Sequence, residues 1–314
     1  MKGKRGTSQE TWGTALAALS AWLFLTGSAP AGTVEPIRFP SVDGEPIAGL
    51  LSLPDGPGPF AAVVTIHGGT GGASEAQLRS HAAPDSNSQT VQEFHARGWA
   101  VFAIDYRPDA VFGLERADVV AGIRHLRGDG RIDPDRIAVF GGSHGGHLGL
   151  LAAIDMGEEI ACLGVGSPWM TDPRLYAEGD IDEPPLSVVP PRQRPVLQRR
   201  LAEIRSHLEK LRAAGADVPA LLDSYSAKAQ ADRIRVPTLF LTSRGDVVVP
   251  HDFVASTIEA MMAAGRTVEV YTAQASPHGF YWARGPLPET PVLAEERAAA
   301  LAIITSFFEG CLDP

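Results

Sequence analysis

The sequence predicts an α/β protein with a mostly parallel central sheet flanked by helices. Short apolar runs alternate with helical patterns, which is the order that parallel strands and their covering helices require. Most of the strand candidates are continuously apolar, as expected for strands that are buried on both faces. These candidates are Ile47–Leu53, Ala61–Ile66, Ala100–Ile104, Ile137–Phe140, Cys162–Val165, Thr238–Thr242 and Val268–Tyr271. The helical patterns between them lie at Ser88–Arg97, Glu115–Arg127, His144–Ile154, Asp252–Ala264 and Leu293–Phe308.

The composition excludes several classes of protein. The chain has 314 residues, of which 44% are hydrophobic and 20% charged, so it is long and apolar enough for one large globular domain. Its net charge of −10 makes a nucleic-acid partner unexpected. The two cysteines are too few for a disulfide scaffold, and no CxxC or Cys/His spacing suggests a structural zinc site.

The first residues predict a separate targeting segment. Residues 1–31 begin with basic side chains, continue with the apolar run Ala15–Leu25 and end in small residues, which is typical of a secretory signal peptide cleaved after Ala31. The apolar run is shorter than the ~20 residues that span a bilayer, although an uncleaved anchor is the alternative. We expect a secreted or periplasmic domain at 32–314, without stable membrane insertion after cleavage. That compartment permits a Cys162–Cys311 disulfide, which the sequence alone does not establish.

One segment, at about 167–235, interrupts the alternation of strands and helices. It is rich in proline and charge, and it contains one helix whose apolar residues recur at three- and four-residue steps: Leu197, Leu201, Ile204, Leu208 and Leu211. We predict that this cap segment (167–235) covers the strand ends; the alternative is a helix that only packs on the scaffold. Four aromatic residues are candidates either to line an acyl pocket or to pack in the core: Trp169, Tyr176, Tyr281 and Trp282.

A candidate nucleophile follows the strand Ile137–Phe140. There Gly141, Ser143 and Gly145 form the Gly-x-Ser-x-Gly pattern of a nucleophile elbow, between a strand and a helix. A sharp strand-to-helix turn strains the serine backbone, and side chains two residues before or after it would collide with neighbouring backbone. The turn lifts the Ser143 hydroxyl to a helix N-terminus, where developing negative charge is stabilised.

The base that activates this serine is expected later in the sequence, because the order along such chains is Ser, acid, His. Of the nine histidines, His207, His251 and His278 follow the elbow at sufficient distance. His278 lies in a loop just after the strand Val268–Tyr271, where its ring can reach the sheet edge. We predict that His278 is the base, with His251 as its main rival.

The candidate acid is Asp246, the only carboxylate in the loop that follows the strand Thr238–Thr242. Such a carboxylate would hold the imidazole through its Nδ1–H group and stabilise the imidazolium that forms during the reaction. The alternatives are that Asp246 is an ordinary turn residue, or that Asp252 takes this role rather than capping the next helix.

An oxyanion hole requires two backbone donors. We predict the N–H of His144 as one of them, because it follows the nucleophile directly. The second is expected from the glycine-rich loop after Ile66, in which Gly68, Gly69 and Thr70 are the candidates. Glycines let the backbone approach a carbonyl closely; a merely flexible loop is the alternative. His67 is interpreted as a residue that shapes this loop.

Taken together, residues 47–310 resemble an α/β-hydrolase, and within that superfamily the catalytic domain of the prolyl oligopeptidase (S9) family and the dienelactone-hydrolase-like esterases. The matching motifs occur in the family order: His67-Gly68-Gly69, Asp105-Tyr106-Arg107, Gly141–Gly146, Ala231–Ile234 before Val236-Pro237-Thr238, Asp246 to Pro250, and Pro277-His278-Gly279. The resemblance implies Ser143 as nucleophile, Asp246 and His278 as its partners, and no metal or organic cofactor. One departure is that dienelactone hydrolases proper use a cysteine nucleophile.

These observations predict an exported serine hydrolase that cleaves carboxylic esters through an acyl-enzyme intermediate. A serine peptidase of the prolyl oligopeptidase type is the first alternative, and a non-catalytic binding module on the same fold is the second. The complete set of Ser143, Asp246 and His278 argues against a binding module, which needs no such set. The expected substrate is a small-molecule ester or a short peptide, while the acyl and alcohol specificity and the oligomeric state stay open.

Overall fold

A computed structural model describes residues 32–108, 111–283 and 290–313. The predicted signal peptide, residues 1–31, lies outside the described residues. The described chain forms one eight-stranded sheet with the strand order β1-β2-β4-β3-β5-β6-β7-β8. The strands are β1 (Thr33–Pro40), β2 (Pro46–Leu53), β3 (Phe60–Ile66), β4 (Ala100–Ile104), β5 (Ile132–Gly142), β6 (Cys162–Gly166), β7 (Thr238–Ser243) and β8 (Val268–Ala273). Strand β2 is antiparallel to β1 and β4, and the remaining pairs are parallel.

Helices cover both faces of this sheet. They are α1 (Glu75–Ala82), α2 (Gln89–Ala96), α3 (Glu115–Arg127), α4 (His144–Met156), α5 (Pro173–Glu178), α6 (Arg194–Ala213), α7 (Val218–Ser224), α8 (His251–Ala263) and α9 (Pro291–Leu312). Successive strand residues point to opposite faces, so Val64 of β3 packs in a core with α3, α4 and α8, whereas Val63 packs with α1, α2 and α9. Burial on both faces explains why these strands are continuously apolar.

The predicted fold class is confirmed, and every predicted strand and helix is present within a few residues. Strand β1 was not predicted, because Pro36 and Pro40 interrupt its strand-like sequence pattern. Proline is tolerated there because β1 is an edge strand, which needs hydrogen bonds on one side only. Helix α1 is short and has few apolar residues, but Ser74 and Gln77 form a capping box at its start.

The cap segment (167–235) contains α5, α6 and α7. The predicted periodicity of α6 is visible in its packing, since one apolar face is buried and the charged residues are mostly exposed. The buried residues are Leu197, Leu201, Ile204 and Leu208, and Leu211 packs partly buried against them.

Cys162 and Cys311 form a disulfide between β6 and α9, with their Cα atoms 6.3 Å apart. The bond joins a fully buried central strand to the last helix across 149 residues of sequence. In the described part of the chain, no helix has both the length and the apolar character that crossing a membrane demands. Across the same residues, no cluster of three or more His, Cys, Asp or Glu side chains is arranged to hold a metal ion.

Candidate active site

Ser143 lies at the junction of β5 and α4 in a strained backbone conformation. Its φ of 55° and ψ of −122° lie in a region that residues other than glycine rarely adopt. The strain is held by three hydrogen bonds: the Ser143 N–H donates to the Gly166 carbonyl at 2.8 Å, and its carbonyl accepts from His147 and Trp169. The nucleophile elbow predicted from the sequence pattern therefore has the backbone geometry that such a turn needs.

The flanking glycines leave no room for side chains. A Cβ atom at Gly141 would lie 2.3 Å from the Gly145 carbonyl oxygen, and one at Gly145 would lie 2.3 Å from the carbonyl oxygens of Ile66 and His67. Because these neighbours are backbone atoms, they cannot rotate away. The steric reason for glycine two residues before and after the serine is thus present in this chain.

Asp246 and His278 are brought together by the loops that follow β7 and β8. The Nδ1–H of His278 donates to Asp246 Oδ2 at 2.7 Å. Asp246 is buried, and its other oxygen accepts the backbone N–H groups of Val248 and Val249 at 2.8 and 2.9 Å. The carboxylate is therefore fixed in place by its own loop and offers its free oxygen to the imidazole.

The rival residues occupy other positions. The His251 Nδ1 bonds to the Thr242 hydroxyl at 2.9 Å, and burial lowers the pKa of the ring. Asp252 is exposed in the first turn of α8. His207 donates from Nε2 to the Val111 carbonyl at 2.9 Å. Of the three candidate histidines, His278 is the one that pairs with Asp246.

Tyr281 connects the His278 loop to the nucleophile elbow. Its ring meets the His278 ring edge-on, with the centroids 6.2 Å apart. The same ring lies against the residue before Ser143, since a Cβ at Gly142 would come within 2.5 Å of Tyr281 Cε2. Because β5 and β8 run in the same direction, their carboxyl ends also lie at the same edge of the sheet. The elbow and the Asp246–His278 pair therefore share one side of the molecule.

The glycine-rich loop after β3 lies against the elbow, and three of its amides have no partner in the part of the chain that the structure describes. A Cβ at Gly68 would be 3.0 Å from Ser143 Cβ. Within the described residues, the N–H groups of Gly68, Gly69 and Thr70 have no hydrogen-bond acceptor. The N–H of His144 is likewise free of an intrahelical acceptor because it begins α4. Unpaired donors on both sides of the serine are what binding an oxyanion requires.

Two side chains fix the Gly69 carbonyl of this loop. The Tyr106 hydroxyl lies 3.1 Å from the His67 carbonyl oxygen and 3.0 Å from that of Gly69, to which it donates. His144 donates from Nδ1 to the Gly69 carbonyl at 2.9 Å. In a trans peptide the N–H points away from the carbonyl, so anchoring the Gly69 oxygen also sets the direction of the Thr70 N–H.

Burial keeps His144 in the form that this bond needs. It lowers the pKa of the ring to about 4, so the imidazole is neutral at pH 7. Its proton is then on Nδ1, and Nε2 is buried without a hydrogen-bond partner in the described chain. His144 thus contributes its backbone N–H to the elbow and its side chain to the neighbouring loop.

The sequence alone assigns no role to Asp105 or Tyr106. Asp105 accepts from His67 Nε2 at 3.0 Å and from the Ala73 N–H at 2.9 Å, while the rings of His67 and Tyr106 stack with centroids 4.6 Å apart. These contacts agree with His67 as a loop-shaping residue. Their position in the sequence could have indicated a role at the site. Both residues directly follow the buried strand β4, and side chains at the carboxyl ends of parallel strands reach the edge where such sites lie.

Comparisons with known proteins agree with this architecture. The puromycin hydrolase structure superimposes with a TM-score of 0.67 at 21% identity, over 90% of this chain and 40% of that chain. A carboxyl esterase from the mycorrhizal fungus Tuber melanosporum superimposes with a TM-score of 0.64 at 16% identity, over 91% and 89% of the two chains. This protein has the α/β-hydrolase fold.

Sequence comparisons match shorter parts of this chain. The profile of the BD-FAE family matches residues 51–163, which include the glycine-rich loop and the elbow. A curated relative, the uncharacterized peptidase YtmA of Bacillus subtilis (strain 168), is 30% identical over 148 residues, which are 41% of this chain and 54% of the relative. The match therefore spans about half the length of that relative.

Proposed function

We propose that this protein is a serine hydrolase that cleaves carboxylic esters, with Ser143 as nucleophile, His278 as base and Asp246 as the acid that orients the base. The observation that carries the proposal is the 2.7 Å hydrogen bond between His278 Nδ1 and Asp246 Oδ2, beside a strained serine elbow. This bond leaves His278 Nε2 as the nitrogen that accepts a proton, which is the arrangement of a Ser-His-Asp triad.

The first half of the reaction acylates Ser143. His278 Nε2 takes the hydroxyl proton as Oγ attacks the carbonyl carbon, and the carbonyl oxygen becomes an oxyanion. The N–H of His144 and an N–H of the Gly68–Thr70 loop donate to that oxyanion. The intermediate then breaks its bond to the alcohol oxygen, and the leaving alcohol takes the proton from His278.

The second half releases the acid. Water loses a proton to His278 Nε2 as it attacks the acyl-enzyme carbonyl, and the same amides bind the second oxyanion. The bond to Ser143 Oγ breaks, the proton returns to Oγ and a carboxylic acid leaves. No step requires a metal or an organic cofactor.

An ester is the favoured substrate because its alkoxide leaves readily, whereas an amide requires its nitrogen to be protonated in place and held in register. A serine peptidase is the second candidate, since the curated relative is named a peptidase and one structural neighbour a puromycin hydrolase. Both candidates use the same triad, so they differ in leaving group and not in machinery.

Turnover of matched substrates separates the two candidates. We expect kcat/KM to be far higher for p-nitrophenyl esters than for p-nitroanilides of the same acyl group, tested as butyryl and alanyl pairs, with Ser143→Ala as the control. Anilide turnover equal to or above ester turnover would replace the esterase assignment with the peptidase. Ester turnover that survives in Ser143→Ala would remove both.

We also propose that the protein is exported after cleavage behind Ala31. The layout of residues 1–31 and the Cys162–Cys311 disulfide support export, because disulfides persist in oxidising compartments. N-terminal sequencing of protein from the extracytoplasmic fractions is expected to begin at about Gly32. Protein recovered with Met1 intact from the membrane fraction would favour an uncleaved anchor.

A further inference from the structure

A cavity of about 300 Å³ lies between the glycine-rich loop and helix α6 of the cap segment. Thr70 of the loop and Trp169 line it, together with Glu203, Ile204 and His207 of α6. Both Thr70 and Trp169 adjoin the elbow. Thr70 belongs to the loop that touches Ser143, and the backbone N–H of Trp169 donates to the Ser143 carbonyl at 3.0 Å. The cavity is therefore placed to receive part of a molecule bound at Ser143.

The lining of this cavity favours a cation. Trp169 and Phe112 contribute aromatic rings, and the face of an aromatic ring attracts positive charge, although the His207 ring stacks on one face of Phe112. Glu203 contributes a carboxylate, and no lysine or arginine is among the described residues that line the cavity. His207 does not present a free N–H donor to a cation in this cavity, because its Nε2–H is bound to the Val111 carbonyl and its ring stacks on Phe112.

The Glu203 carboxylate is also available. Within the described residues it has no ion-pair partner within 4.0 Å, although Arg199 and Arg200 precede it by one turn on the same helix. Arg200 instead lines a second cavity, of about 220 Å³, together with Val247 and Val248. Helix α6 thus presents a carboxylate to one cavity and a guanidinium to the other.

The position of His278 decides which part of the substrate enters the Glu203 cavity. The leaving alcohol must reach His278, which returns its proton. Residues 247, 248 and 250, which follow the acid that pairs with His278, line the second cavity, and none of them lines the first. The Glu203 cavity is therefore the one left for the acyl part. At roughly 30 Å³ per water-sized group, a volume of about 300 Å³ accommodates an amino-acid acyl group.

We propose that the acyl group of the substrate carries a protonated amine bound by Glu203 and the Trp169 ring, so that the enzyme cleaves esters of amino acids with a free amino group. This inference rests on the proposed function, because it requires Ser143 to be acylated. It adds a substrate class and a residue that selects it.

The test compares ethyl alaninate with ethyl isobutyrate, which differ only in an ammonium group against a methyl group. At pH 7 an α-amino group, with a pKa of about 7.7–8.0, is mostly protonated. The ratio of kcat/KM for alaninate to that for isobutyrate is measured by titrating released acid, for the unmodified protein, Glu203→Gln and Glu209→Gln. Glu209 lies on the exposed side of α6 and lines neither cavity, so it is the matched control.

We expect Glu203→Gln to lower this ratio roughly tenfold, the effect of losing one charged hydrogen bond, while Glu209→Gln leaves it as it is. A ratio that Glu203→Gln does not change, in an enzyme that hydrolyses both esters, would overturn the inference and leave the proposed function intact. Hydrolysis of neither ethyl ester by a protein that hydrolyses p-nitrophenyl butyrate would overturn the inference alone, whereas undiminished hydrolysis by Ser143→Ala would overturn the proposed function and the inference with it.

Discussion

The sheet and the cap segment hold their candidate functional residues in different ways. At the sheet edge, Ser143, Asp246 and His278 each follow a strand, and their positions are set by backbone hydrogen bonds, a strained turn and a buried carboxylate. In the cap segment, α6 is anchored by one apolar face, and Glu203 projects from it exposed and without an ion-pair partner in the described chain.

This difference separates two kinds of effect. Groups that react must be held to fractions of an ångström, so they belong on a rigid scaffold, and their loss removes catalysis. Groups that select a substrate contribute through single contacts with it, so changing them alters the ratio between substrates by a modest factor. We therefore expect large losses of rate from the sheet edge and shifts of preference from α6.

The largest expected effect is at the triad itself. Replacing Ser143 or His278 with alanine should lower ester turnover by ~10⁴-fold or more while the melting temperature stays near that of the unmodified protein. His251→Ala is the matched control, because His251 pairs with Thr242 and not with Asp246. Initial rates on a nitrophenyl ester decide the point, and a greater loss in His251→Ala than in His278→Ala would show that the base was wrongly assigned.

The second expected effect is on the stability of the scaffold. Reducing the Cys162–Cys311 disulfide, which closes 149 residues of sequence, should lower the free energy of unfolding by about 2–5 kcal/mol. Urea unfolding with and without reductant measures it. Because the bond joins β6 to α9 and not to the cap segment, we expect the alaninate-to-isobutyrate ratio of the reduced, folded protein to be unaltered. An unchanged unfolding midpoint would contradict the structural role of the bond.

The third effect is a loss of stability in mild acid. Burial lowers the pKa of His144 to about 4 and that of His147 to about 3, from 6.5. Below pH 6.5 the unfolded chain binds protons at these rings and the native chain does not, so each costs up to about 1.4 kcal/mol per pH unit. Glu115 has the opposite effect on stability. Burial raises the pKa of its carboxyl to about 7, so on acidification the native chain binds this proton before the unfolded chain does.

The histidines outnumber the glutamate, because burial also lowers the pKa of His95 and His251, so the free energy of unfolding should fall by roughly 2 kcal/mol or more between pH 6.5 and pH 5. Urea unfolding at the two pH values measures this difference. Glu115→Gln removes the opposing proton, so the difference in that variant should become larger. A protein that is equally stable at both pH values, or a smaller difference in Glu115→Gln, would be inconsistent with buried neutral histidines beside the elbow.

The smallest effect concerns the anchoring of the glycine-rich loop. Tyr106→Phe removes the hydroxyl that holds the carbonyls of His67 and Gly69, and we expect kcat to fall about tenfold with little change in KM. Tyr225→Phe is the control, since its buried hydroxyl donates to Gly113, outside that loop. Equal kcat values in the two variants would show that Tyr106 does not position the oxyanion donors.

The contrast between local patterns and distant contacts explains which features could be predicted from the sequence. Strands such as Ala100–Ile104 were predictable because burial on both faces demands an apolar run, and the strained turn at Ser143 was predictable because glycine is sterically required two residues before and after it. The contacts of Tyr106 were not predictable, because its hydroxyl bonds to carbonyls 37 and 39 residues away along the sequence.

The cap segment shows a second limit. The periodicity of α6 predicted which of its faces is buried, and the structure has that face packed. Periodicity does not tell against which element a helix packs, so the cavity between Glu203 and Trp169 was not foreseeable from either residue. Of the four candidate aromatic residues, Trp169 lines this cavity, whereas Tyr176, Tyr281 and Trp282 are buried.

The central claim is that Ser143 is a nucleophile activated by the Asp246–His278 pair. A fluorophosphonate probe, which reacts with activated serines, followed by mass-spectrometric mapping of the modified peptide, tests it most directly. We predict that the native protein is labelled on Ser143, that labelling is much slower in His278→Ala, and that Ser143→Ala is not labelled. Labelling of a different residue, or labelling of Ser143 at an unchanged rate in His278→Ala, would contradict the account.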